Sequence, residues 1–278
     1  MSIDETTIWA ALLRARTQWR PGLRAAAIER AAPDGSRVTL NPDATWHGTG
    51  ELDPTARHLI ELYLPIVARP RIVLGQLGQS LDGRIATARG HSHYVTGPQS
   101  LVHLHRLRAL VDGVVIGVGT LVADDPLLTV RHCTGENPLR IVLDPALRGD
   151  AERRIFRDAQ APGLVICDDS RSRPTRHGLS EVATLRAGAD GLAPQAVLDL
   201  LAERGISRVL VEGGGLTVSR FLGARALDLL HVTVAPMLIG SGRHGVTLPE
   251  IASLDDALRP PTRRHALGDD VLFELRFT

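Results

Sequence analysis

The sequence contains no lysine: all 32 of its basic residues are arginine. A phosphate-loop lysine, a Schiff-base lysine and a lysine general base are therefore excluded. Anionic groups must be held by arginine or by main-chain N–H groups, and the planar guanidinium fork suits phosphate by donating two parallel hydrogen bonds. A genome rich in G and C accounts for the same bias without any functional reason. Cysteine is scarce, with only Cys133 and Cys167. They form neither a disulfide framework nor a metal-ligand spacing, so a reducing cytoplasm is the expected home. No run approaches the ~18 apolar residues of a membrane span. The first 19 residues carry acids and arginines around a short apolar stretch, and lack the basic start and long apolar centre of a secretory signal. The formal net charge is +1, which argues for neither nucleic acid nor a membrane surface as partner.

What is present is ordinary for a chain that buries a core: 278 residues, 44% hydrophobic and 23% charged. That length fits one large domain with a small appendage. Residues 1–69 read as the appendage, an extension with short helices. A helix is predicted over 8–20, with Ile8, Leu12, Leu13 and Trp19 on its apolar side. Turn signals follow at Pro33-Asp34-Gly35 and Asn41-Pro42-Asp43. A second helix is predicted over 54–63, with Asp53 as N-cap and Pro54 in its first position, before Leu64-Pro65 and Arg69-Pro70 break the chain. From residue 70 strands alternate with helices. Strands are predicted over 72–77, 114–118, 140–143, 164–167, 208–211 and 229–235, and helices over 98–110, 194–204 and 216–222. A final strand over 271–277 reads as antiparallel. This alternation is an α/β pattern.

Two glycine turns follow buried strands. In the first, Val211-Glu212 runs into Gly213, Gly214 and Gly215, and Leu216 and Thr217 open a helix. Glycine permits close backbone approach, and a helix N-terminus offers free N–H groups to phosphate. A plain strand-to-helix turn explains the triplet equally well, and the G-x-G-x-x-G spacing is missing. The second turn is Gly117-Val118-Gly119-Thr120, with Asp124 and Asp125 ahead of Pro126. Thr120 can donate a hydroxyl, and either aspartate can cap a turn or hold ribose hydroxyls. The Asp82-Gly83 pair after the first strand reads as a turn. His91 and His93 are two apart, as are His103 and His105. Neither pair has a third ligand in sequence, so no metal is expected. No nucleophile–base motif is present.

Taken in order, several segments resemble the reductase (C-terminal) domain of the riboflavin-biosynthesis bifunctional deaminase/reductase family, in the dihydrofolate-reductase-like superfamily. They are SLDGRIA from Ser80, VTGP from Val95, LRA from Leu107 and DGVVIGVGT from Asp112. DDPLLTVR from Asp124, VEGG from Val211 and Ala235-Pro236 complete the series. The resemblance covers about residues 70–278. It implies a mixed, mostly parallel central sheet with flanking helices, and a cytoplasmic homodimer. It implies an NADPH-dependent oxidoreductase that converts the ribosyl group of 5-amino-6-(5-phosphoribosylamino)uracil, or a close analogue, to a ribitylamino chain. By match to the family motif, Ser92, Arg108, Leu128, Arg131 and Glu212 contact this phosphorylated pyrimidine, the two arginines holding phosphate. Gly78, Tyr94, Thr120, Asp124 and the turn from Gly213 to Thr217 hold NADPH. Asp124 is also the candidate proton donor.

Two departures stand out. Gln76 occupies a position where many members of that family carry lysine. Residues 1–69 have no cysteine and lack the His-x-Glu and Pro-Cys-x-x-Cys zinc pattern of a fused deaminase, so deamination is not expected. Two rival readings keep parts of this picture: a reductase of a pterin, dihydrofolate or specialised pyrimidine-derived substrate, and a non-catalytic nucleotide-binding module.

Overall fold

The computed structural model describes residues 3–278 apart from Arg24, Tyr94 and Arg171. The chain forms two compact units, residues 1–72 and 73–278.

The first unit begins with α1 (Glu5–Gln18), capped by Asp4, whose carboxylate accepts the Thr7 N–H at 2.8 Å. An antiparallel meander follows: β1 (Ile28–Ala31), β2 (Arg37–Leu40) and β3 (Trp46–Thr49). The stretch that reads as turns in sequence is therefore a small sheet. The Pro33-Asp34-Gly35 and Asn41-Pro42-Asp43 signals are its two hairpin connections, and strands of four residues are too short to show a period. Helix α2 (Pro54–Val67) starts at Asp53 as expected, with the Asp53 carboxylate accepting from the Thr55 and Ala56 N–H groups. It does not stop at Leu64-Pro65. Pro65 sits inside the helix, and the Glu61 carbonyl that loses its donor belongs to an exposed residue. Water can satisfy that carbonyl, while buried Leu64, Ile66 and Val67 hold the last turn in place. The ring of Trp9 meets Tyr63 edge-on at 5.8 Å, joining α1 to α2.

The second unit comprises β4 (Ile72–Ser80), β5 (Arg84–Thr87), α3 (Pro98–Leu110), β6 (Gly113–Gly117), α4 (Val118–Asp124), β7 (Leu139–Leu143), α5 (Arg154–Arg157) and β8 (Gly163–Asp168). Then come β9 (Arg176–His177), β10 (Ser180–Leu185), β11 (Ala187–Gly188), β12 (Gly191–Leu192), α6 (Pro194–Glu203), β13 (Arg208–Glu212), α7 (Gly215–Gly223), β14 (Leu229–Ala235), β15 (Gly242–His244), β16 (Thr262–Leu267) and β17 (Asp270–Arg276). Ten strands form one mixed sheet in the order β16-β17-β14-β4-β13-β6-β7-β8-β10-β9. Pairing is parallel from β13 through β6, β7 and β8 to β10, and between β14 and β4. The edge pairs β14–β17, β17–β16 and β10–β9 are antiparallel. The mixed, mostly parallel sheet with flanking helices is thus observed, and the tail strand is antiparallel as its pattern implies.

The parallel strands are apolar along their length because both faces are covered. Val115, Ile141, Leu164, Ile166, Val209 and Val211 share a buried cluster with Val197 and Leu201 of α6 and Val218 and Phe221 of α7. Strands β5, β10 and β16 have no counterpart in the sequence reading, and one predicted turn is a helix. Gly117-Val118-Gly119-Thr120 is not a turn: Gly117 caps α4, and Val118 and Leu121 bury that short helix against the sheet. Two glycines in four residues mask the helical period. A polar cluster lies towards the other end of the sheet, where buried His231 of β14 contacts Glu274 of β17 at 3.5 Å and Arg276 closes on the same carboxylate at 2.7 Å.

Candidate active site

The C-terminal ends of the parallel strands open onto one cleft of about 1640 Å³ within the second unit. Gln76 and Gly78 of β4, Gly117 of β6, Leu143 of β7, Glu212 of β13 and Ala235 of β14 all line it. That is where ligands bind in open α/β sheets, because strand ends and helix N-termini leave main-chain groups free there.

Each substrate- and cofactor-site residue expected from sequence lines this cleft, except Tyr94, which lies outside the described residues. Within the cleft Arg108 grips Glu212 with two bonds of 2.7 Å, Nε to Oε1 and Nη2 to Oε2. Both residues are buried, and the remaining Arg108 nitrogen donates to the Thr129 carbonyl at 3.2 Å. Most of the fork of Arg108 is therefore spent inside the protein. Arg131 is freer: its side chain donates to Thr129 Oγ1 at 2.8 Å and otherwise faces the cleft. Partial burial, and then the charges of Arg108 and Arg154, lower the Arg131 pKa from its ordinary value. Such a concentration of positive charge favours a phosphate dianion. Leu128, in the same segment, is buried with φ of 55°. A left-handed leucine costs on the order of 1–2 kcal/mol and persists only where its surroundings over-determine it.

The glycine turn follows Glu212 directly, and its three glycines have different reasons. Gly213 has φ of 97°, which a side chain resists. At Gly215 a Cβ would sit 1.8 Å from the Gly245 carbonyl oxygen, so that glycine lets α7 pack against main chain. Gly214 has ordinary dihedrals, φ −56° and ψ 144°, and its N–H donates to Thr120 Oγ1 at 2.8 Å. A Cβ there would meet only that hydroxyl, at 3.2 Å. Fold requirements thus explain Gly213 and Gly215, whereas Gly214 leaves open a space at the N-terminus of α7. Leu216 is exposed and Thr217 half-buried on the first turn of that helix. An unblocked helix N-terminus backed by a threonine hydroxyl fits the pyrophosphate of a dinucleotide. Ser92 donates to the Asp124 carboxylate at 3.0 Å, joining one expected substrate residue to the candidate proton donor.

Gln76 lines the cleft almost fully buried, and its Oε1 has no hydrogen-bond partner among the described residues. Asp82 has a structural place instead. Its carboxylate accepts from Ser80 Oγ at 2.5 Å, Ile239 N–H at 3.1 Å and Gly240 N–H at 2.6 Å, bonds that hold its pKa down at about 2. It ties the turn after β4 to the loop after β14.

Comparison with known proteins agrees with this architecture. Residues 71–265 match the RibD C-terminal domain. The chain belongs to the RibD C-terminal domain family. It is 35% identical to the 2,5-diamino-6-ribosylamino-4(3H)-pyrimidinone 5′-phosphate reductase of Methanothermobacter thermautotrophicus, over 74% of this chain and 97% of that one. It is 32% identical to the riboflavin biosynthesis protein RibD of Aquifex aeolicus, over 82% of this chain but only 64% of that longer protein. Among solved structures it is similar to the bifunctional deaminase/reductase of Thermotoga maritima, with a TM-score of 0.61 and 26% identity over 80% of this chain and 61% of that one. RibD of Acinetobacter baumannii superposes with a TM-score of 0.64 and 26% identity, over 80% of this chain and 62% of that one.

Several cleft residues of this RibD-family chain had no sequence signal. Asp270 is buried and accepts the Gly97 N–H at 2.7 Å and the Ser100 hydroxyl at 2.5 Å, anchoring the start of α3 from a strand some 170 residues later. Arg148, Arg154 and Arg220 also line the cleft. In an arginine-rich sequence no local feature separates them from surface arginines.

Proposed function

We propose that the chain is an NADPH-dependent reductase that converts the ribosyl group of 5-amino-6-(5-phosphoribosylamino)uracil, or its 2,5-diamino analogue, to the ribitylamino product in riboflavin biosynthesis. The observation that carries this reading is the presence in one cleft of two anion-ready features: the Gly213–Gly215 turn, and the Arg108–Glu212–Arg131 cluster that adjoins it through Glu212. The family membership supports the same reading.

When bound, the nicotinamide supplies a hydride to C1′ of the ring-opened imine. The protein holds, orients and protonates. The helix N-terminus at Gly214, with Thr120 and Gly78, holds the cofactor. Arg131 takes the substrate phosphate. Glu212, fixed by Arg108, accepts from pyrimidine N–H groups, and Leu128 packs on the ring. Ser92 orients Asp124, which takes a proton from solvent and passes it to the imine nitrogen as the hydride reaches C1′. We assign this chemistry to residues 70–278 and treat residues 1–69 as an extension outside it. A homodimer in the cytoplasm completes the proposal. Exposed Leu248, Ile251, Leu254 and Leu258 support the first, and the free Cys133 and Cys167, whose thiol pKa values burial raises to about 11, support the second.

A second reading keeps the cofactor and changes the heterocycle to a pterin-like or other pyrimidine-derived ring. The unpartnered amide oxygen of Gln76 favours it, because a buried acceptor discriminates strongly between substrates that do and do not donate to it. Mixing the purified protein with NADPH and freshly prepared ribosylaminopyrimidine phosphate separates the two. Oxidation with appearance of the ribitylamino product confirms the first reading. Tight NADPH binding without turnover rejects it in favour of the second.

A further inference from the structure

Helix α3 begins with its polar residues turned inwards and its leucines turned to the cleft. In its first two turns, residues 98–104, the buried side chains are Ser100 and His103, while Leu101 and Leu104 line the cleft. Its buried apolar residues, Leu107, Ala109 and Leu110, all come later. The sheet face beneath is polar as well. Gln76 of β4, His231 of β14 and Glu274 of β17 are register partners in one row, so they share a face, and Asp270 lies four residues before Glu274 on that face. Ser100 donates to Asp270 at 2.5 Å. His103 Nε2 lies 3.1 Å from His231 Nδ1, with the two rings stacked at 5.2 Å and 24°. His231 Nε2 faces Glu274 at 3.5 Å, and Arg276 holds the same carboxylate at 2.7 Å. A proton on His231 Nε2, drawn there by Glu274, leaves Nδ1 of the neutral ring to accept from His103. Two directional contacts thus place the first turns of α3 where apolar packing would do so in an ordinary helix. The leucines are left for whatever occupies the cleft.

We infer that His231 is a positioning residue for the reduction: through His103 it fixes the leucine-bearing start of α3 over the cleft, and so the approach of the reacting carbon to the hydride donor. This rests on the reductase reading above and adds to it a residue outside the cleft lining. The phosphate anchor Arg131 is held from His105, beyond the clamped turns, so a shift of the helix start alters the reacting geometry and leaves that anchor in place. A misplacement of about 1 Å costs on the order of 100-fold in rate.

The test compares wild type, His231→Leu and His231→Asn by steady-state kinetics, by the isotope effect of NADPH deuterated at the transferred position, and by amide hydrogen exchange. His231→Leu leaves Arg276 on Glu274. It is expected to fold, to lose kcat about 10- to 100-fold, and to keep substrate KM and NADPH Kd within about threefold. Its isotope effect should rise as hydride transfer becomes rate-limiting. Amides of residues 101–104 should exchange at least about tenfold faster, with those of 107–110 unchanged. The asparagine amide reproduces the Nδ1 contact, so His231→Asn should restore kcat to within about threefold of wild type. Should His231→Leu fail to fold, His103→Leu breaks the same bond from the helix side and is judged by the same readouts. Turnover within about twofold of wild type in the leucine variant overturns the inference. An equal loss in His231→Asn also overturns it, because it marks a packing role. A wild type that binds NADPH but does not reduce the ribosylaminopyrimidine phosphate rejects the reductase reading. Exchange then decides the clamp by itself, and unchanged rates overturn it.

Discussion

The main-chain N–H of Arg131 donates to Nδ1 of His105 at 3.0 Å. That bond needs a lone pair on Nδ1, so it needs a neutral ring. Burial, followed by the charges of Arg108, Arg131 and His132, pushes the His105 pKa down to about 3. The segment that carries the proposed phosphate anchor is thus held by a histidine that stays unprotonated far into the acid range.

Acid stability follows from this. The unfolded chain protonates His105 near its ordinary 6.5, while the folded protein refuses the proton until about 3. The contribution is complete above pH 6.5 and is lost as pH falls from 6.5 towards 3, with a slope of at most about 1.4 kcal/mol per pH unit. Glu274 adds a second window. Burial alone would raise its pKa, but the His231 hydrogen bond and charge, with Arg276, outweigh it and hold the carboxyl at about 2. Its contribution is present above 4.5 and is lost between 4.5 and 2. Urea midpoints measured from pH 7.5 to 3 are expected to fall throughout, and His105→Asn should flatten the part between 6.5 and 4.5. An identical slope in that variant would remove the assignment to His105.

The Arg108–Glu212 pair gives the largest stability effect expected at the site. Glu212→Ala strands a buried guanidinium, at a cost of ~3–5 kcal/mol. Arg108→Met with Glu212→Leu should recover much of that stability, because it removes both charges, yet remain inactive. Denaturant unfolding of the three proteins checks this. A single variant as stable as wild type would show that the pair is not buried in solution.

Arg131→Ala separates substrate from cofactor. The loss of a charge-assisted phosphate contact of ~1.5–3 kcal/mol should raise the substrate KM about 10- to 100-fold. NADPH affinity should persist. Unchanged substrate saturation would refute the phosphate role.

The glycine triplet divides between fold and ligand. Gly215→Ala puts a methyl onto the Gly245 carbonyl and should lower the melting temperature by several degrees, about what a loss of 1–3 kcal/mol brings. Gly214→Val meets only the Thr120 hydroxyl and should fold, but its side chain fills the space in front of α7 and blocks NADPH. Calorimetry and titration on both proteins distinguish them. Normal NADPH affinity in Gly214→Val would contradict the cofactor site.

Local features were legible where one element carries its own signal. Pro98 and the leucines after it mark α3 from first to last residue, and Asp53-Pro54 marks the start of α2. The strands from β6 to β8 and β13 read as apolar runs because both their faces are covered. Where elements are short, or where glycine and proline obscure a period, local reading fails. The four-residue strands of the first unit, helix α4 behind Gly117 and Gly119, and Pro65 inside α2 are instances, as are the unpredicted strands β10 and β16, each decided by packing that the local pattern does not contain.

The sequence by itself determined the alternation of strands and helices, the glycine turn at the start of α7, and the exclusive use of arginine for positive charge, since these depend on residue type and near-neighbour spacing. The family resemblance singled out Arg108 and Arg131, but only the tertiary structure added Arg148, Arg154 and Arg220 to the cleft and gave Arg108 and Arg131 their partners. It paired Arg108 with Glu212, set Arg148, Arg154 and Arg220 along the cleft, and brought Asp270 under the first turn of α3. Parallel pairing does this by aligning the C-terminal ends of strands far apart in sequence, so that the partners of each site residue come from contacts with no local trace.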